Sequence, residues 1–89
     1  MKAVITVTGK DSVGIIAEVA TVCAEYKVNI LDVTQSIIQD YFAMIMLADI
    51  NNLTIPFSEF TDLLHALGEK KHLEIHSMHE DIFNTMHHI

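Results

Sequence analysis

The sequence predicts an α+β domain whose strands and helices follow the order β-α-β-β-α-β. Three features indicate this order: short runs in which apolar and polar residues alternate, an apolar run from Phe42 to Ala48, and two stretches with apolar residues every three or four positions. Alternation is typical of strands, whereas the longer spacing is typical of amphipathic helices. This order is that of the ferredoxin-like sandwich, in which two helices cover one face of a four-stranded antiparallel sheet.

The first half of the chain contains a strand, a helix and a second strand. Residues 3–8 alternate and are rich in β-branched side chains, which predicts the first strand. After a break between Gly9 and Gly14, a helix is predicted over residues 15–26, and residues 30–38 predict the second strand. The apolar face of this helix consists of Ile15, Ile16, Val19, Val22, Cys23 and Tyr26.

The second half contains two further strands and a second helix. Gln39-Asp40 predicts a hairpin turn, and residues 41–50, largely apolar on both faces, predict a central strand. Pro56 is predicted to be the first residue of the second helix and Gly68 to mark its end. Residues 73–78 predict the fourth strand. The buried stripe of the second helix is predicted to consist of Phe57, Phe60, Leu63, Leu64 and Leu67.

A short tail follows the fourth strand. Ile82, Phe83, Met86 and Ile89 fall on one helical face, which predicts a short C-terminal helix packed on another surface. We therefore expect one domain over residues 1–79 and a helical tail over residues 80–89.

Composition limits the classes of function. The chain has 89 residues, which suits one domain, and its five lysines, no arginine and twelve acids give a formal net charge of −7. Binding to nucleic acid or to an anionic membrane is disfavoured because both depend on basic side chains. Cys23 is the single cysteine, so no internal disulfide is expected, and no apolar run approaches the ~20 residues of a membrane span. No signal-peptide pattern opens the sequence, and we expect a cytoplasmic protein.

The segment between the first strand and the first helix is the candidate binding element. Gly9 and Gly14 flank a polar stretch, and a helix that begins behind such a loop offers free amides to an anion. Neither the P-loop nor the dinucleotide fingerprint is present, and Asp11 would repel a phosphate. An acid beside free amides suits a zwitterion. A second interpretation remains open, in which Asp11 or Ser12 caps the helix and the glycines permit a tight turn.

The run GKDSVGI over residues 9–15, the helix after it and then Asn29-Ile30 resemble the signature of the ACT domain family, whose members bind amino acids and similar small metabolites. With Asp32 and Gln35 following, the chain is similar to the N-terminal ACT domains of formyltetrahydrofolate deformylase and the glycine-cleavage-system repressor. With residues 79–84 included, the whole chain resembles a group of small standalone ACT proteins. In the family a proline often precedes the second glycine, whereas this chain has Val13.

The resemblance implies a ligand site at an interface between domains, formed by the first loop and the start of the second strand. Two interpretations stay open for Asn29, as a ligand contact or as a turn residue before the strand. Asp32 and Gln35 equally suit a solvated sheet edge. The implied ligand-binding positions are Asp11, Ser12, Val13, Gly14, Ile15, Asn29, Ile30, Asp32 and Gln35, with Gly14 and Ile15 contributing backbone groups.

No catalytic residues are predicted. Acylphosphatases share this fold but hold phosphate with an arginine of the first loop, and this chain has no arginine. Cys23 lies on the apolar face of the predicted helix and is expected to be packed rather than reactive. Histidines at 65, 72, 76, 79, 87 and 88 raise the question of a metal, but His72 and His76 on one predicted strand would lie about 13 Å apart. Neither a metal nor a cofactor is expected.

We therefore expect a non-enzymatic regulatory module that senses an amino acid or related metabolite at a homodimer interface and acts on an unidentified protein partner. Two helices cannot cover Val33, Ile37, Met44 and Met46 together, and an open apolar face favours pairing with a second copy. Two alternatives stay open. One is a protein-interaction or assembly module without a ligand, and the other is a metal-responsive protein that uses the C-terminal histidines.

Overall fold

The computed structural model describes residues 1–10 and 13–86, and it confirms the predicted order and the ferredoxin-like fold. The strands are β1 (Lys2–Gly9), β2 (Asn29–Ile38), β3 (Tyr41–Asp49) and β4 (Glu74–His79), and the helices are α1 (Ile15–Glu25), α2 (Phe57–Lys71) and α3 (Glu80–Met86). The strands form one antiparallel sheet in the order β2-β3-β1-β4, so that β2 and β4 are its edges. Among the described residues, no helix is both long enough and apolar enough to cross a membrane.

The core lies between α1, α2 and one face of the sheet. On the central strands Ile5 pairs with Met46 and Val7 pairs with Met44, and all four side chains are buried. Of the four side chains that two helices were not expected to cover together, Met44 and Met46 belong to the buried core that the helices cover, whereas Ile37 is 73% exposed. The helices contribute Ile15, Val19 and Cys23 from α1 and Phe60 and Leu64 from α2.

The opposite face of the sheet is partly covered by the C-terminal helix. The predicted short helix is confirmed as α3, which begins directly after β4 and packs against β1 and β4. Val4 on this face is 3% exposed, whereas Ile45 on β3 is 44% exposed. The division of the chain into a domain over residues 1–79 and a tail over residues 80–89 stays a prediction.

Both predicted ends of α2 are revised. Pro56 precedes the helix, and Phe57 is the first helical residue. Gly68 lies inside the helix, which continues to Lys71. A Cβ atom on Gly68 would lie 2.6 Å from the carbonyl oxygen of Leu73, so glycine is required there for the close approach of α2 to the start of β4.

The two longer helices end in the same hydrogen-bonded motif. At the end of α2 the Leu73 amide donates to the Gly68 carbonyl at 2.8 Å, and the His72 amide donates to the Glu69 carbonyl at 3.3 Å. His72 takes the left-handed conformation (φ 59°), as Lys27 does after α1 (φ 63°). This is the Schellman pattern, which usually has glycine at the left-handed position. This motif turns the chain from α2 into β4 and from α1 into β2.

Candidate functional site

The loop between β1 and α1 leads into the N-terminus of the helix. Gly14 has φ 74°, a left-handed conformation that favours glycine. The amide of Glu18 donates to the Gly14 carbonyl at 3.0 Å, so the amides of the preceding three residues belong to the first turn, before the hydrogen-bonding ladder of the helix. The Ile15 side chain is buried, which leaves its backbone for a ligand. Asp11 and Ser12 lie outside the described residues.

The α1 N-terminus lies at the end of the sheet where β2 finishes. Gly9, the last residue of β1, pairs with Phe42, and Phe42 pairs with Ile37 near the end of β2. Lys10 extends from the loop toward the hairpin between β2 and β3, where its Nζ atom lies 5.4 Å from the centre of the Tyr41 ring. This is a cation–π distance, and it links the loop to the hairpin.

Asn29 lies at the other end of the sheet. It is exposed, it opens β2, and it pairs with Asp49, which in turn pairs with Lys2 at the start of β1. The next residue, Ile30, is half-buried and packs against the core. The predicted contact residues at the start of β2 are therefore one exposed amide side chain and a backbone position.

The two remaining candidates on β2 face different sides of the sheet. Asp32 pairs with Leu47 and Gln35 pairs with Met44, and residues an odd number apart on a strand point in opposite directions. Both are exposed. The carboxylate of Asp32 accepts a hydrogen bond from the Val33 amide at 2.9 Å. Only Gln35 shares the helix-covered side of the sheet, so the structure does not bring the pair to one surface.

One chain does not bring the loop and Asn29 together. Gly14 precedes α1 and Asn29 follows it, and a helix of 11 residues separates its ends by about 16 Å. The ten residues of β2 run back along the same direction. A site that contains both the α1 N-terminus and Asn29 therefore needs these parts from two different chains.

Exposed apolar side chains lie along the side of the molecule that the β1–α1 loop, α1 and β2 form. Val13 in the loop is 84% exposed, Ile16 on α1 40%, Leu31 on β2 45% and Ile37 on β2 73%. We call the loop over residues 13–14, α1 and β2 together the α1–β2 margin. An apolar margin beside an edge strand is the kind of surface that pairs with another chain.

The histidines lie in separate surroundings. His72 is not on β4 but ends α2, so the predicted placement of His72 and His76 on one strand is wrong. The centre of the His79 ring lies 4.5 Å from the centre of the Phe57 ring. His87 and His88 lie outside the described residues. Within residues 1–10 and 13–86, no three His, Cys, Asp or Glu side chains are gathered to hold a metal ion.

The sequence pattern does not predict one pair of neighbouring histidines. The ring centres of His65 on α2 and His76 on β4 lie 5.5 Å apart. The residues are 11 positions apart along the chain and belong to different elements, so no spacing rule pairs them. Their proximity results from the packing of α2 beside the β4 edge.

Cys23 behaves as a core residue. Its side chain is 1% exposed among the core residues of α1 and the sheet. Burial raises the pKa of the Cys23 thiol to about 11. The thiol is therefore protonated at neutral pH, and the thiolate that a nucleophile requires is not formed.

The sequence is similar to the ACT domain family over residues 2–77. It is 49% identical over 89 residues to the UPF0237 protein of Clostridium perfringens, with 100% of both chains covered. This relative and the chain therefore match over their full lengths.

Solved structures agree with this similarity. An ACT domain protein from Streptococcus pneumoniae superposes with a TM-score of 0.80 and 34% identity, with 93% of each chain covered. A protein described as a glycine cleavage system transcriptional repressor gives 0.70 and 25% identity, covering 86% of this chain and 44% of that one. A formyltetrahydrofolate deformylase from Pseudomonas syringae gives 0.77 at 17% identity, covering 88% and 27%, which is a likeness of fold.

Proposed function

Because the chain belongs to the ACT domain family, a family of regulatory small-molecule-binding domains, we propose that it senses an amino acid or a related zwitterionic metabolite at a homodimer interface. Each site combines the β1–α1 loop of one subunit with the partner's Asn29. The chain catalyses no reaction. It changes its own assembly when the ligand binds, and a protein partner recognises the change.

The position of Gly14 and Asn29 at opposite ends of α1 carries this proposal. A two-fold axis beside the β2 edge makes two β2 strands run antiparallel, so that the start of one strand meets the end of the other. The partner's Asn29 then lies beside the α1 N-terminus of the first subunit. The same pairing covers Leu31 and Ile37, which are exposed in the single chain.

The chemistry of the two parts is complementary to an α-amino acid. The first-turn amides of α1 and the positive end of its dipole favour the carboxylate. The partner's Asn29 offers both a donor and an acceptor, and Asp11 offers a negative charge to the ammonium group. A ligand of this kind contacts both subunits at once.

Regulation follows from linkage. A ligand that touches two subunits binds the dimer better than the monomer, and it shifts the monomer–dimer equilibrium by that difference in affinity. The protein partner then responds to the amount of dimer.

Calorimetric titration with each of the common amino acids tests the proposal. We expect heat from one or a few of them, and we expect Asn29→Ala to weaken that binding by about tenfold or more because a hydrogen bond to a charged ligand is lost. Asn52→Ala is the matched control, because Asn52 is an exposed asparagine in the loop after β3. No heat from any amino acid with the unmodified chain, or equal losses in both variants, contradicts the proposal.

An assembly module without a ligand is the second candidate, and the groove beneath α3 favours it. A cavity of about 460 Å³ lies between α3 and the sheet and is lined mainly by apolar side chains, among them Ile45, Met78, Phe83 and Met86. Under this candidate, Met86→Glu disrupts self-association while Asn29→Ala changes nothing. Sedimentation velocity of both variants distinguishes the two functions.

A further inference from the structure

Four side chains of metal-binding type line one small cavity at the outer edge of β4. The cavity measures about 230 Å³ and is bounded by His65 and Glu69 of α2 and by Glu74 and His76 of β4. His65 and Glu69 are four residues apart on a helix, and Glu74 and His76 are two apart on a strand. Each spacing places both side chains on one face of its element. Two elements thus present two ligand-type side chains each to the same space.

The two imidazoles lie close to each other across the cavity. Their ring centres lie 5.5 Å apart with an angle of 82° between the ring planes. The His76 Nε2 atom lies 3.3 Å from Glu74 Oε2. The side chain of His76 is 54% exposed and that of Glu74 is 76% exposed, so both have room to change rotamer.

We propose that His65 and His76 together bind a divalent transition-metal ion, with Glu74 as the carboxylate that orients the His76 ring. A carboxylate that accepts a hydrogen bond from one ring nitrogen leaves the other nitrogen free for the metal and raises its basicity. One ring turns out of its present edge-on arrangement so that both lone pairs point to one ion.

Two protein ligands leave the other coordination positions to water. This agrees with the finding that no three His, Cys, Asp or Glu side chains of residues 1–10 and 13–86 already converge on an ion. Imidazole nitrogen suits Zn²⁺, Cu²⁺ and Ni²⁺, and it is a poor ligand for Mg²⁺ and Ca²⁺. The adjacent Glu69 and Glu74 carboxylates add negative charge that favours a cation.

The site is separate from the proposed amino-acid site. It lies on the β4 edge of the sheet, whereas the α1–β2 margin lies at the β2 edge, and two strands intervene. An ion held by His65 and His76 joins α2 to β4, and it therefore stabilises the folded chain in proportion to its occupancy.

Calorimetric titration of the full chain with Zn²⁺ at neutral pH is the test, with Mg²⁺ as the negative comparison. We expect one Zn²⁺ site per chain, loss of measurable binding in His65→Ala and in His76→Ala, and binding about 10- to 100-fold weaker in Glu74→Gln. Both histidines are exposed, so we expect these variants to fold, and their far-UV circular dichroism provides the check. The melting temperature of the unmodified chain should rise with Zn²⁺ concentration, and that of the two histidine variants should not.

The double variant His87→Ala/His88→Ala identifies the histidines responsible. Our inference requires it to bind Zn²⁺ as the unmodified chain does. Loss of binding in this double variant, unchanged binding in His76→Ala, or no heat from Zn²⁺ with the unmodified chain overturns the inference. Selective broadening of amide signals near residues 65 and 76 by Cu²⁺, in nuclear magnetic resonance spectra, locates the ion independently of affinity.

Discussion

Replacing Gly68 with alanine tests how α2 packs on the start of β4. A Cβ atom at this buried position would lie 2.6 Å from the Leu73 carbonyl oxygen and 3.1 Å from Cγ1 of Ile75. The nearer neighbour is backbone, and the strand that follows is held in register by β1. The Leu73 amide also donates to the Gly68 carbonyl at 2.8 Å, so a shift that relieves the contact weakens the bond that ends α2.

The sign of the effect depends on one stabilising and two destabilising contributions. Alanine is favoured over glycine inside a helix by about 1 kcal/mol. Overpacking costs about 1–3 kcal/mol, and a weakened hydrogen bond costs about 1 kcal/mol. We therefore expect Gly68→Ala to lower the free energy of unfolding by about 1–3 kcal/mol, which lowers the melting temperature by roughly 4–8 °C for each kcal/mol.

Urea titration followed by far-UV circular dichroism measures this change, at one protein concentration because assembly affects stability. Ala66→Gly is the matched variant, since Ala66 is exposed on the same helix and reports the helix propensity alone. We expect it to cost about 1 kcal/mol. A Gly68→Ala chain as stable as the unmodified protein, or more stable, would refute the close approach of α2 to β4.

Three further predictions concern the core, a helix end and the α1–β2 margin. Burial raises the pKa of Cys23 to about 11, above its unfolded value of 9.0, so the folded chain keeps the proton longer. The free energy of unfolding should therefore fall between about pH 9 and 11, by up to about 1.4 kcal/mol for each pH unit. The same decrease with pH in Cys23→Ala would show that the Cys23 thiol is not its cause. His72→Gly should raise the free energy of unfolding by about 0.5–1 kcal/mol, because the left-handed conformation strains a residue that has a side chain. Urea titration measures this change, and a decrease would contradict the proposed strain. Ile37→Lys should yield monomers in sedimentation velocity while Ile82→Lys on α3 stays dimeric, and the opposite pattern would place the interface elsewhere.

The order of elements could be predicted because each strand and helix carries its own local period. Alternation in residues 3–8 and the three- and four-residue spacing from Ile15 to Cys23 depend only on near neighbours along the chain. The end of α2 could not be predicted in the same way. Gly68 satisfies the local pattern for a helix terminus, but its role is set by Leu73 and Ile75, which approach only after the chain has turned into β4.

The candidate site, too, could be predicted only as far as local sequence patterns allow. The loop and Asn29 were identified from the residues and the resemblance, whereas their separation depends on the length of α1 and the register of β2 on β3. The sequence could not show which side of β3 is buried, because residues 42–48 are largely apolar on both sides. The pairing of Met46 with Ile5 and of Met44 with Val7, all four buried, shows which side the helices cover.

Subunit complementation tests most directly whether each site is shared between two chains. Asp11→Ala and Asn29→Ala are prepared separately, mixed in equal amounts, allowed to exchange subunits, and titrated with the common amino acids. Each variant alone should bind about tenfold or more weakly than the unmodified protein, with no site of wild-type affinity. In the mixture about half of the dimers are mixed, and each of these holds one site with both parts intact, so about a quarter of the wild-type sites should return. A mixture that regains no site of wild-type affinity, when the unmodified protein binds, would contradict a site shared across the interface.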